Sequence, residues 1–304
     1  MTAPDSTRFP PLAGVGVDRA AEERAHPGIL DTARADPSAR VLLVAGDRAP
    51  LATASALHWV APDAVPADAE WAFLGRHASG HALLAAVFEA AEPDLFEAPG
   101  GWGGLRSVGG GLSETDAAAF VEALSLAGWL LDAPYCPACG ALTTLGDAGW
   151  SRRCPSCGRQ HFPRTDPAVI VAITSAVDPD RLLLGSNALW GAHRFSCFAG
   201  FVEAGESLEA TVVREVAEEA GIQVADVRYR GSQAWPYPRS LMLGFLATAV
   251  DDAAARPDGD EIVAVRWFTR DEIGAGLAGE GDLRLPGAAS IAHRLISDWY
   301  EGRA

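Results

Sequence analysis

Four of the five cysteines stand in two short pairs, Cys136-Pro137-Ala138-Cys139 and Cys154-Pro155-Ser156-Cys157, and no other feature restricts the fold so tightly. Each pair forms a knuckle that presents two thiolates, and two knuckles close a tetrahedron around one soft cation. Fourteen residues separate the pairs, just under the usual spacer of a four-cysteine zinc site. Disulfides fit a cytosolic chain poorly, and a redox dithiol would need only one pair. Four thiolates leave no open coordination position, so the expected zinc is structural. Cys197 has no partner in the pattern and reads as a buried strand residue.

The cysteines also divide the chain into an N-terminal part (1–133), the knuckles (134–161) and a C-terminal part (162–304). A length of 304 residues, 49% apolar, suits about two domains with real cores. No apolar run is long enough to cross a bilayer, and the N-terminus "MTAPDSTRFPPLAG" lacks the pattern of a secretory leader; a cytoplasmic protein is expected. In the N-terminal part, "ARVLLVAG" (39–46) and "AEWAFLG" (69–75) read as strands, followed by a helix from Ser113. Ser113 and Asp116 have capping-box spacing, with Asp in the place of the usual Glu or Gln. After the knuckles, "AVIVAITSAV" (168–177), "RLLLGS", "FSCFAGFV", "SLMLGFLATAV" (240–250) and "EIVAVRWF" (261–268) read as strands, and "SIAHRLISDWYEG" as a closing helix. This mixture predicts a mixed sheet packed between helices.

The stretch "GFVEAGESLEATVVREVAEEAGI" (200–222) crowds Glu215, Glu218 and Glu219 onto one helical strip, because a helix advances about 100° per residue. Val212, Val213, Val216, Ala217 and Ala220 fall on the flank that can face a core. Carboxylates gathered this way repel one another unless a cation sits among them, and Mg²⁺ takes carboxylate, water and phosphate oxygens together. Spacing alone leaves a solvated acidic face as the commoner explanation.

The wider pattern reverses that order. Gly200, Glu206, Arg214, Glu215, Val216, Glu218, Glu219, Gly221 and Ile222 match the Nudix box at every fixed position, so the segment resembles the catalytic motif of the Nudix hydrolases. That resemblance implies an α/β fold, a Nudix α/β/α sandwich with a mixed sheet, here preceded by a zinc ribbon and an N-terminal α+β domain. It also implies Mg²⁺ or Mn²⁺ as the catalytic metal. Glu215 and Glu219 would be its main ligands, with Glu218 close by and the carbonyl of Ala199 as a further ligand. Arg214 would brace the carboxylates through Glu206, Gly200 and Gly221 would allow backbone bends at the two ends of the motif, and Glu219 is assigned as the group that takes the proton.

A second signal concerns the substrate. Taken alone, "SQAWPYPRS" (232–240) is a proline-rich turn with two aromatics. Eleven residues past Gly221, it resembles the SQPWPFPxS signature of NADH pyrophosphatases, a Nudix family that also carries a four-cysteine ribbon before the hydrolase domain. Ala234 replaces a proline of that signature and Tyr237 a phenylalanine. The resemblance implies that Gln233, Ala234, Trp235, Pro236, Tyr237, Pro238, Arg239 and Ser240 line a dinucleotide site. It further implies base stacking by Phe162, whose residue type alone fits core packing equally well, with Phe201 as another stacking ring. Glu261 would be a downstream acidic metal and substrate residue, Ala292 a backbone contact, and Arg106 a contact to phosphate or ribose. A family glutamate between the cysteine pairs is lost, Gly149 holding the nearest place.

The implied reaction is hydrolysis of NAD(H) to NMN(H) and AMP, with removal of NAD caps from RNA, by a homodimer. The alternatives are a Nudix hydrolase for ADP-ribose or dinucleoside polyphosphates, and a zinc-ribbon nucleic-acid binder with a degenerate hydrolase domain. The net charge is −16 and every basic residue is arginine, so no partner is held mainly through a long phosphate backbone. Arg152, Arg153, Arg159 and Arg164 crowd around the second knuckle as a candidate RNA patch.

Overall fold

The computed structural model describes residues 10–66, 69–89, 96 and 98–303. The opening stretch inspected for a leader lies, as far as Phe9, outside the described residues. The chain folds as two compact units, one comprising Leu12–Thr165 with Trp235–Arg239, the other built from Asp166–Ala234 and Ser240–Ala304 together with the described residues before Leu12, 10–11.

The first unit holds helix α1 (Ile29–Ala35), strands β1 (Arg40–Ala45), β2 (Arg48–Thr53), β3 (Ala56–Leu57), β4 (Glu70–Arg76), β5 (Ala82–Phe88) and β6 (Trp102–Gly104), and helices α2 (Leu105–Val108) and α3 (Glu114–Asp132). The sheet runs β3-β2-β1-β5-β4 with β6 paired to β2. β1 and β5 are parallel and are almost wholly buried. Such continuous apolar runs belong to strands covered on both faces. Ser113 Oγ accepts the Asp116 N–H at 3.1 Å and caps α3. Only that half of the capping box forms: the Asp116 carboxylate instead accepts Leu57 N–H at 3.0 Å and Trp59 Nε1 at 2.9 Å. A three-stranded sheet of β7 (Thr144–Gly146), β8 (Ser151–Arg153) and β9 (Gln160–His161) carries the cysteine knuckles.

The second unit is a six-stranded sheet, β10 (Asp166–Thr174), β11 (Arg181–Asn187), β12 (Phe198–Phe201), β13 (Val224–Trp235), β14 (Ser240–Ala249) and β15 (Ile262–Thr269), with helices α4 (Leu208–Ala220), α5 (Arg270–Leu277) and α6 (Ile291–Tyr300). The order is β13-β14-β10-β11-β15, with β12 on β10. β10 pairs parallel with β14 and antiparallel with β11 and β12. Alternate residues of β10 face opposite ways, as strand geometry requires. Val169, Val171 and Ile173 pack with Val212, Val216 and Ala220 of α4. Ile170 and Ala172 pack with Ile273 of α5 and with Ile291, Leu295, Ile296 and Trp299 of α6. The result is an α/β/α sandwich with a mixed sheet. Cys197 is buried in the α6 layer, and burial pushes its thiol up to about 12, which makes it inert.

Candidate active site

Helix α4 starts where Ser207 Oγ accepts the Ala210 N–H at 3.2 Å. It ends at Gly221, which adopts φ +67°, a left-handed turn that suits glycine. Gly200 acts differently from a bend residue. It lies in extended β12 opposite Val169, and a Cβ there would come within 1.9 Å of Glu215 Cδ. Its hydrogen makes room for the Glu215 carboxylate.

Arg214 organises the strip. Its Nε and Nη2 bind Glu206 Oε1 at 2.7 Å and Oε2 at 2.9 Å, Nη1 reaches Glu215 Oε1 and Glu218 Oε2 at 2.9 Å each, and Nη2 also donates to Phe201 O at 3.0 Å. The planar guanidinium fits such a fork better than an ammonium could. Glu206 also accepts Glu203 N–H at 3.0 Å and Thr211 Oγ1 at 2.9 Å. The Arg214 bonds foremost hold its carboxyl down at about 2.

The three glutamates are graded in depth. Glu218 is exposed, Glu215 half-buried and Glu219 buried at 6% exposure. Burial raises the Glu215 carboxyl, against the pull of Arg214. Glu219 is pushed up to about 8, first by burial, then by the neighbouring charges of Glu261 and Glu215, while the Ala199 backbone opposes the shift. Its Oε2 is buried without a hydrogen-bond partner. A buried, orphaned carboxylate oxygen beside other carboxylates is the environment a hard cation satisfies. Among the described residues, the carboxylate oxygens are not gathered into one coordination sphere as the cysteine sulfurs are; Arg214 holds Glu215 and Glu218 instead.

Glu261 sits immediately before β15, with Asn187 Nδ2 donating to its Oε1 at 3.3 Å. The sequence reading missed the residue that positions it. Asp258 Oδ1 accepts the N–H groups of Asp260 at 2.6 Å and of Glu261 at 2.9 Å, and its charge adds to the shift at Glu219. The signal was present in "DGDE" as an Asx-type turn ahead of an apolar run.

"SQAWPYPRS" is the end of β13, a tight turn and the start of β14, and it divides between the two units. In the first unit, the Trp235 and Tyr237 rings lie 5.2 Å apart. The Arg106 guanidinium covers them at 3.9 Å from the Tyr237 centroid and 5.5 Å from that of Trp235. The tyrosine hydroxyl accepts the Arg106 backbone N–H at 3.3 Å, so the departure from phenylalanine anchors this stack. Pro236 is buried, while Pro238 and Arg239 are exposed. Phe162 is 48% exposed and is not a core residue.

In the second unit, Phe201 is 54% exposed at the end of β12. Ala234 is half-buried, and Ser240 is buried. Gln233 is 1% exposed. Its amide donates to Ala289 O at 2.9 Å and to Pro11 O, and its Oε1 accepts Ile291 N–H at 2.8 Å. Gln233 therefore fastens the start of α6 to β13, and Ala292 is buried in the first turn of that helix.

The four cysteine sulfurs lie within 4.8 Å of one another. Cys136 and Cys157 are 3.7 Å apart, and Cys139 and Cys154 are 3.5 Å apart. A tetrahedron with bonds of about 2.3 Å has edges of about 3.8 Å, so the cage fits zinc. The knuckles are built alike. Cys136 N–H donates to Ala141 O and Cys154 N–H to Arg159 O, both at 2.8 Å. Gly140 and Gly158 follow with φ +75° and +74°.

Gly149, with φ +95°, would place a Cβ 2.9 Å from Trp71 O, so no glutamate fits there. The arginine patch is corrected as well. Arg152 is 5% exposed, and its Nη2 donates to Leu130 O at 2.7 Å near the end of α3. A C-terminal helix carbonyl attracts such a cation, and that removes Arg152 from any surface patch.

Comparison with known proteins agrees with this geometry. The NUDIX domain model matches residues 164–286, and the NADH pyrophosphatase zinc ribbon domain model matches residues 132–162. A protein of Mycobacterium tuberculosis (H37Rv) named NAD-capped RNA hydrolase NudC is 40% identical over 308 residues, covering 95% of this chain and 94% of its own. The chain belongs to the NADH pyrophosphatase family of Nudix hydrolases. A Homo sapiens protein named NAD-capped RNA hydrolase NUDT12 is 37% identical over 201 residues, covering 62% of this chain and 42% of its own. Within this NADH pyrophosphatase, the ribbon match spans both cysteine knuckles, and the Nudix match spans the box, the aromatic turn and Glu261.

Proposed function

We propose that this enzyme hydrolyses the pyrophosphate of NAD(H), giving NMN(H) and AMP, and removes NAD caps from RNA 5′ ends. The observation that carries the reading is the buried Glu219 carboxyl on α4, with an unpartnered Oε2, set beside Glu215, Glu261 and the Ala199 backbone of β12. Glu215, Glu219 and the Ala199 carbonyl, with Glu218 and Glu261 at the rim, would hold Mg²⁺ or Mn²⁺. When bound, such ions neutralise the pyrophosphate and lower the pKa of a coordinated water. The protein's own contribution is positional. Arg214 fixes Glu206 and steadies Glu215, and Gly200 admits that carboxylate to the strand. With the ion bound, Glu219 would take the proton as the water oxygen bonds to phosphorus and the bridging P–O bond breaks, leaving one phosphomonoester on each product.

The stack of Arg106 on Tyr237 and Trp235 supports a role in holding a ring-bearing half of the dinucleotide. Phe162 and Phe201 are exposed enough to stack on a base. The expected zinc holds the ribbon together. A cytoplasmic homodimer, with an N-terminal domain at 1–133, a ribbon at 134–161 and a hydrolase domain at 162–304, completes the reading.

The test is a substrate panel of NADH, NAD⁺, ADP-ribose and a dinucleoside polyphosphate, run on wild type and on a Trp235→Ala/Tyr237→Ala double variant. NADH should have the highest kcat/KM in the wild type, and the variant should lose roughly tenfold on NADH with a smaller loss on ADP-ribose. Equal losses on both substrates would reduce the turn to general scaffolding. A wild type that prefers ADP-ribose would favour the alternative Nudix activity.

A further inference from the structure

In a chain of net charge −16, one exposed corner of the Nudix unit runs against the trend. β11 ends at Asn187 and the chain turns at once, with Trp190 N–H donating to Asn187 O at 3.0 Å and Leu189 N–H to Asn187 Oδ1 at 2.9 Å. The turn is fastened to the candidate active site. Ala188 N–H donates to Glu261 O at 2.8 Å, and Asn187 Nδ2 reaches the Glu261 carboxylate. Leu189 is 93% exposed and Trp190 36%. The Arg194 guanidinium lies over the Trp190 ring, 5.4 Å from its centroid.

Arg194 also sits beside a second arginine. It forms a parallel bridge with Arg284, closed by Arg284 N–H to His193 O at 2.9 Å and Phe195 N–H to Arg284 O at 3.0 Å. Both arginines are exposed. Among the described residues neither has a carboxylate partner, and Arg284 donates only to backbone carbonyls, including Gly281 O at 2.8 Å. Like charges placed side by side across a bridge repel. Retaining two of them unpaired in an acidic protein suits an anion that arrives from outside. An aromatic ring with arginines around it is the pairing that binds single-stranded nucleic acid: bases stack on the ring, and the backbone follows the cations.

We propose that this corner carries the single-stranded RNA that follows the cap, with one base stacked on Trp190 and the adjoining phosphates on Arg194 and Arg284. The inference rests on the cap-removing activity proposed above. It replaces the patch at the second knuckle, where Arg152 is buried. Two phosphate contacts are enough to guide a short 5′ segment and too few to hold RNA by its body. NADH has no nucleotide beyond its two halves, so it does not reach this surface.

The experiment compares wild type, Trp190→Ala, Trp190→Phe and Arg194→Gln/Arg284→Gln on NADH and on NAD-capped single-stranded RNA. It also measures binding of a 5′-monophosphorylated RNA oligonucleotide by fluorescence anisotropy across a salt series at constant free Mg²⁺. Trp190→Ala should raise KM on capped RNA about tenfold, with kcat and both NADH constants held within about twofold, and Trp190→Phe should restore most of the loss. The double arginine variant should flatten the log–log salt slope by about 1.4, or ~0.7 for each lost phosphate contact. NADH activity falling in step with RNA activity, or oligonucleotide binding unchanged in all variants, would overturn the proposal. If the wild type binds the oligonucleotide through these residues but leaves the cap intact, the surface stands and the cap-removing reading falls. If caps are removed equally well by every variant, the surface falls and that reading stands.

Discussion

At position 200 a single methyl group would collide with the Glu215 carboxylate, and at position 219 a single buried oxygen has no partner. These two details separate this carboxylate strip, packed and partly buried, from a solvated acidic face. Glu219→Gln keeps the size of the side chain and removes its charge. Turnover on NADH should fall roughly 10²- to 10⁴-fold. Metal-free stability near neutral pH should hold, because a carboxyl pushed up to about 8 is already largely neutral there and glutamine reproduces that state. Steady-state kinetics at saturating Mg²⁺ or Mn²⁺ with a parallel melting curve checks this, and wild-type turnover would rule out the metal reading.

A second buried carboxyl gives a pH prediction away from the metal. Glu122 is pushed from 4.5 up to about 7, first by burial, with Arg19 and Arg24 at 3.6 Å opposing the shift. A carboxyl raised in the folded state is more often protonated there than in the unfolded chain. Its stabilising contribution is therefore complete below pH 4.5 and is lost as pH rises through about 7. The loss is on the order of 3 kcal/mol. Glu122→Gln should melt less differently at pH 5 and pH 8 than the wild type does. Parallel pH curves for the two proteins would show that Glu122 titrates normally.

At the scale of elements, the parts legible in the sequence are those with fixed spacing or long apolar runs. The two knuckles and the box could be placed residue by residue because metal cages and helix faces tolerate no slip. β10 and β14 showed as apolar runs because both faces are covered. β13 did not show: it lies at the sheet edge and is mostly solvent-facing, so its polar residues resemble a loop. α5 is only 8 residues long and was missed, although Thr269 and Glu272 form a full capping box. The proline-rich turn also hid its register, since the strands on either side of it cannot be paired from composition. The ribbon carries its own prediction. Cys154→Ser opens a cage whose metal binding energy is folding energy, so the variant should lose zinc and unfold at a lower temperature. Elemental analysis that finds no zinc in wild type grown with zinc, together with four freely titrating thiols, would contradict the cage.

At the scale of the whole molecule, sequence and structure divide the work differently. Order along the chain and family resemblance point to a ribbon followed by a hydrolase domain. Long-range contacts decide what composition cannot, such as Arg152 near the end of α3 and Gln233 fastening the start of α6 to β13. The acidic surface, with a net charge of −16, disfavours polyanions at long range. Under the proposed function, specificity for a dinucleotide would come from local groups: the carboxylate strip with the Mg²⁺ or Mn²⁺ it would hold, and the Arg106–Tyr237–Trp235 stack. The most direct measurement is product analysis of NADH incubated with the purified protein, first stripped of divalent ions and then supplied with Mg²⁺ or Mn²⁺ while zinc is retained in the ribbon. The account predicts no reaction without the added ion, and equimolar AMP and NMNH when it is present. Release of free nicotinamide, or intact NADH after prolonged incubation with either ion, would contradict it.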